Sequence, residues 1–132
     1  EGDVPFILTA RAENFIRGNP DLDDTIARLQ AFEAVGADVL YAPGLPGLDA
    51  IRTVCQSVGK PVNLVMGLSG SQLTTAQLAD AGVRRISLGG SLARAALGAL
   101  MDAAREIQSG SYSFLDRAAT GRDIAANMRG AE

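Results

Sequence analysis

Two stretches, Glu33–Gly44 (EAVGADVLYAPG) and Ala79–Gly90 (ADAGVRRISLGG), read as copies of one another. Each carries the end of a helical pattern, then a glycine, Gly36 or Gly82, then a short apolar run that stops at a turn. A glycine just past a helix supplies the left-handed residue that lets the chain leave the helix. The copied unit is therefore a helix-to-strand junction, and it predicts β-α units in series.

Working outward, four runs qualify as strands: Phe6–Ala10, Asp38–Ala42, Pro61–Met66 and Arg84–Leu88. Each is continuous rather than alternating, the pattern of a parallel strand covered on both faces. Between them lie helical stripes. Leu22, Ile26, Leu29, Phe32 and Ala34 recur at helical spacing, with Asn19 and Pro20 opening the helix. Leu48, Ile51, Val54, Cys55 and Val58 form a second stripe, which makes Cys55 a core residue. Thr74 or Thr75 caps a third helix running to Ala81, and Ser91 a long fourth ending near Gln108. Phe114–Met128 reads as one or two short helices. Asp38 to Pro61 and Pro61 to Arg84 are 23 residues each. The first step is longer, and its excess lies in the loop from Arg11 to Pro20. Loops longer than the repeat requires tend to carry function.

A chain of 132 residues bounds this to one domain with a sizeable core. A net charge of −3 with both signs interspersed gives no basic field, which argues against nucleic acid. There is no histidine, so histidine-based triads are excluded and the commonest zinc ligand is missing. No apolar run reaches the ~20 residues of a membrane span, and a cytoplasmic protein is expected.

Parallel βα units admit an open doubly wound sheet or half of a (β/α)8 barrel. The even period and the lack of an order-reversal signal favour the half barrel. The first βα turn, TARAEN, has no glycine-rich phosphate loop, which speaks against a doubly wound nucleotide-binding domain. The expected organisation is four βα units over residues 1–110 and a helical tail over 111–132.

In either architecture the chemistry sits beyond the carboxyl ends of the strands. Thr9 stands at the end of the first strand, and Arg11, Glu13 and Asn14 follow it; Asn63 lies in the third, and Gly89 and Gly90 follow the fourth. The Arg11 guanidinium offers a fixed fork of donors for an acid group, or a structural ion pair with Glu13. Glu13 can orient Arg11, hold a metal-bound water or cap the loop. Asn14 is equally a turn former. Asn63 is a buried polar group or a rim residue. Gly89 and Gly90, ahead of a helix start, can expose amides to an anion or simply make a tight turn. Tyr41 is undecided.

The stretches FILTARAENF, DLDDTIARLQAFEAVGADVLYAPGL, KPVNLVMG and AGVRRISLGGSLARAALGAL together resemble the isocitrate lyase/phosphoenolpyruvate mutase superfamily, nearest its phosphoenolpyruvate mutase-like members. The resemblance runs over essentially the whole chain. It implies that these are the fifth to eighth units of a TIM barrel, with the C-terminal helices packing on a partner subunit. It implies Mg²⁺-dependent chemistry at C–C or P–C bonds of small 2-oxo or 2-hydroxy acids, the metal ligands belonging to the N-terminal half. Arg11 then matches the arginine that grips the substrate's acid group, and Glu13 an acidic position beside it, with Thr9, Asn14, Asn63, Gly89 and Gly90 around the substrate. Ala42-Pro43 stands where lyase members place a glutamate, and Val65 and Met66 replace polar groups. A mutase-like hydrolase, decarboxylase or lyase follows, rather than an isocitrate lyase. On this reading the 132-residue piece is inactive alone. The alternative is a non-catalytic half barrel that self-associates to cover its open edges.

Overall fold

The computed structural model describes residues 4–68 and 73–128. It divides into two compact units, residues 1–91 and 92–132.

In the first unit four strands alternate with three helices: β1 (Thr9–Arg11), α1 (Leu22–Ala34), β2 (Val39–Tyr41), α2 (Leu48–Ser57), β3 (Val62–Val65), α3 (Thr75–Asp80) and β4 (Arg85–Ser87). The sheet order is β1-β2-β3-β4, and every pairing is parallel. A doubly wound sheet reverses its strand order at a switch point, whereas consecutive order is that of a barrel wall. The four units are half of a (β/α)8 barrel.

The two copied junctions are built with the same hydrogen bonds. The Gly36 amide donates to Glu33 O and that of Ala37 to Phe32 O, both at 3.0 Å. The Gly82 amide donates to Ala79 O and that of Val83 to Leu78 O, again at 3.0 Å. This is the Schellman arrangement, and both glycines hold the positive φ it requires, 101° and 100°.

Register sorts the side chains, because paired residues of parallel strands share a face and alternate ones change face. Leu40 pairs with Val62 and Leu64 with Ile86. Leu40, Val62 and Leu64 join Leu29, Ile51, Val54, Leu78 and Val83 in the core beneath the helices. The opposite face holds Thr9, Arg11, Tyr41, Asn63, Arg85 and Ser87 and is largely polar.

Three local expectations need correction. The first strand begins at Thr9 rather than Phe6, and Phe6 and Ile7 are 79% and 71% exposed rather than buried. β1 is an edge strand, and the Asp38 carboxylate takes the Leu8 amide at 2.8 Å, where a strand carbonyl would otherwise continue the ladder. α1 is capped by Asp21, whose side chain accepts the Asp24 amide at 2.9 Å, rather than opened by Asn19-Pro20. A carboxylate there also meets the positive end of the helix dipole. Ala34 faces solvent, and Thr25, with no exposed surface, takes a place in the α1 stripe. The third helix matches expectation: Thr74 and Gln77 form a reciprocal capping box.

The second unit contains α4, whose helix spans Ser91–Gln108, a 3₁₀ turn over Ser113–Arg117, and α5 (Gly121–Met128). Glu106 of α4 ties the turn down by accepting from Ser113 Oγ at 2.7 Å and from the Arg117 guanidinium. Residues 129–132 of the expected tail lie outside the described residues. Among the described residues no helix is long and apolar enough to cross a membrane.

Candidate functional site

Four register partners form a row across the polar face: Arg11, Tyr41, Asn63 and Arg85, one from each strand. Arg11 closes β1 at its carboxyl end. Its Nε meets Glu13 Oε1 at 2.8 Å, and its guanidinium carbon lies 4.9 Å from the centre of the Tyr41 ring. Glu13 in turn bridges to Arg17 Nε through Oε2 at 2.9 Å. Of the roles open to Glu13, orienting Arg11 is the one its contacts display.

The Arg11 plane is thus held on two sides, by an ion pair and by an aromatic face. Its two Nη groups have no partner among the described residues, and its side chain is 46% exposed. A guanidinium fixed along its Nε edge with the Nη pair free is pre-set for two parallel bonds to a carboxylate or phosphonate.

The remaining sequence-derived candidates separate into two groups. Asn14 belongs to the loop's own construction: Nδ2 donates to Asp24 Oδ2 at 2.5 Å and its carbonyl accepts the Asn19 amide at 2.9 Å. Hydrogen bonds from Arg28 and then from Asn14 hold the Asp24 carboxyl below its usual range. Thr9 opens β1 instead of lying at its carboxyl end, and its Oγ1 accepts from Arg85 Nη2 at 3.0 Å. Asn63 is buried at 2% exposure and hydrogen-bonded on both sides. Its Oδ1 accepts from Arg85 Nε at 2.9 Å, and its Nδ2 donates to Ser87 Oγ at 3.1 Å. Gly89 and Gly90 lie in the turn after β4, Gly89 at φ 51°. There the Ser91 hydroxyl, still within the first unit, donates to Met66 O at 3.2 Å.

Ser87 is among the strand-end groups that the sequence places on the rim, whereas Arg85 was not singled out, although both alternate onto the face of Tyr41. The period-2 spacing of an arginine and a serine inside an apolar run was the signal. Tyr41 itself is 9% exposed. Burial pushes its phenol above the usual range, against the pull of Arg11. The first-loop depression of about 250 Å³ beside Glu13, Arg17 and Arg28 also holds guanidiniums paired through Nε, Arg17 with Glu13 and Arg28 with Asp24, but of the three arginines only Arg11 is stacked, among the described residues, on a ring as well.

Among the described residues no three acidic, cysteine or histidine groups come together as a metal site. Glu13, the carboxylate next to Arg11, is committed to two guanidiniums and does not fit a Mg²⁺ ligand set.

The sequence model of the phosphoenolpyruvate phosphomutase family matches residues 1–108. A candidate lyase/mutase of Burkholderia cenocepacia J2315 has a crystal structure that superposes with a TM-score of 0.89 at 54% identity, over 94% of this chain and 45% of that one. Phosphonopyruvate hydrolase, solved in complex with oxalate and Mg²⁺, is 28% identical with a TM-score of 0.71, over 92% of this chain and 44% of that one. Oxaloacetate decarboxylase of Paraburkholderia xenovorans (strain LB400) is 33% identical over 93 residues, 70% of this chain and 31% of that protein. The chain therefore spans about a third of the curated relative and under half of the solved ones. It belongs to the phosphoenolpyruvate phosphomutase family.

Proposed function

We propose that this chain, as a member of that family, supplies the acid-gripping half of a (β/α)8 enzyme acting at C–C or P–C bonds of small 2-oxo or 2-hydroxy acids. The observation that carries the proposal is the fork of Arg11, fixed along Nε by Glu13 and stacked on Tyr41 with both Nη groups free. Such a fork matches a carboxylate or phosphonate in geometry and charge. The relatives' names, a hydrolase of phosphonopyruvate and a decarboxylase of oxaloacetate, share that substrate chemistry.

On this reading Glu13 positions Arg11, and Asn14 shapes the loop that carries both. Thr9 and Asn63 support the site from below through Arg85, while Gly89 and Gly90 close the rim beyond β4. The requirement for Mg²⁺ falls on residues outside this chain, since no cluster among the described residues fits the ion. The tail packs on a partner subunit, which suits the exposed Leu97, Leu100, Met101 and Ile124 of α4 and α5.

Oxalate, bound by the phosphonopyruvate hydrolase relative, is the probe. Titration calorimetry on the whole protein with Mg²⁺ should show oxalate binding that Arg11→Gln weakens by two orders of magnitude or so, the loss of a two-bond charged contact. Unchanged affinity in that variant removes Arg11 from the site.

A further inference from the structure

We propose that the Tyr41 hydroxyl is a second ligand-binding group of this site, donating to the oxygen that neighbours the acid group held by Arg11. The proposal rests on the clamp reading above and adds a second point of recognition: the ligand's C2 oxygen.

Tyr41 keeps only 9% of its surface exposed, and its hydroxyl, without a hydrogen-bond partner among the described residues, lies in that solvent-facing part. The ring is therefore fixed by its surroundings while its polar tip stays open to a ligand. The neighbouring polar groups make their hydrogen bonds elsewhere. Asn63, the register partner on β3, accepts from Arg85 at Oδ1 and donates from Nδ2 to Ser87. Glu13 is divided between Arg11 and Arg17. Two unsatisfied sets of donors, the phenol and the Nη pair, therefore stand on adjacent strands of one face. The stacking of Arg11 on the ring fixes them relative to each other. Burial keeps the phenol protonated at neutral pH, so it acts as a donor and not as a base.

A ligand with oxygens on adjacent carbons satisfies both sets at once. Its carboxylate takes the Arg11 fork, and the neighbouring oxygen, whether keto, hydroxyl or the second carboxylate of oxalate, accepts from Tyr41. A monoacid without that oxygen leaves the phenol unpaired.

The test uses the whole protein with Mg²⁺ and oxalate as the probe. Tyr41→Phe keeps the ring and its stacking but deletes the hydroxyl, and should weaken oxalate roughly tenfold with the unfolding midpoint unchanged, since the hydroxyl makes no hydrogen bond within the described residues. Tyr41→Leu deletes the platform as well and should weaken binding further. If Tyr41→Phe binds oxalate like the wild type while Arg11→Gln has lost it, the hydroxyl inference is overturned and the clamp stands. If Arg11→Gln also binds normally, the clamp reading fails and this inference falls with it.

Discussion

The guanidinium of Arg11 lies over the ring of Tyr41, its register partner on the adjacent parallel strand, with 4.9 Å between the guanidinium carbon and the ring centre. Glu13 holds the same guanidinium by its edge. An arginine placed this way has lost most of its rotamer freedom before any ligand arrives, so less entropy is spent on binding.

Arg11→Lys retains the charge and discards the fork. In the whole protein it should weaken oxalate by about tenfold or more, the value of one charged hydrogen bond. Glu13→Gln keeps a neutral hydrogen-bond acceptor for Nε and should cost only a few-fold. Calorimetric titration of both variants decides the order, and a larger effect from Glu13→Gln would contradict the clamp.

The two copied glycines should answer differently to alanine. Both sit at φ near +100°, so each substitution carries a left-handed penalty of about 1–2 kcal/mol. A Cβ on Gly36 meets open space, whereas one on Gly82 would lie 2.8 Å from Cys55 Cβ. Gly82→Ala should therefore destabilise by roughly 1–3 kcal/mol more than Gly36→Ala, read by urea unfolding. Equal losses would show that α2 moves aside freely.

Asn63→Leu removes the acceptor for Arg85 Nε and the donor to Ser87 Oγ on a face that stays polar. The expected loss is about 1–3 kcal/mol in denaturant unfolding, the cost of losing two hydrogen bonds at a buried position. A neutral result would mean that water replaces the amide.

Acid should loosen the tail before it unfolds the sheet. Hydrogen bonds from Ser113 and then Arg117 lower the Glu106 pKa from the ordinary 4.5. A depressed folded-state value means the tie is fully present above 4.5 and is lost as pH falls through the lower folded value. Amide exchange over residues 113–117 should accelerate in that window and should be fast at every pH in Glu106→Gln. No difference between wild type and variant would dismiss the tie.

The 132-residue chain alone should show no turnover of oxaloacetate or phosphonopyruvate with Mg²⁺, because its described residues assemble no metal site. Measurable cleavage would place the whole chemistry inside this half.

The helix-to-strand junctions were legible because Schellman geometry demands glycine, and the sequence repeats it at Gly36 and Gly82. Arg11 and Glu13 were legible as a pair because the loop after a barrel strand is where function gathers. The burial of Phe6 and Ile7 was misjudged: an apolar run gives the propensity of a strand, not the number of neighbours it has. Arg85 went unnoticed because its meaning depends on register with Asn63 and on reaching Thr9, neither of which a linear pattern encodes. The pairing of Asn63 with Arg85 and Ser87 escaped for the same reason.

The bond from Arg85 to Thr9 joins the first and last strands, which share no backbone ladder. One side chain thus sets the width of the arc. In recombination experiments that splice this segment to front halves from other barrels, compatible donors will be those whose strands close that opening without breaking the strap, whatever their overall sequence similarity.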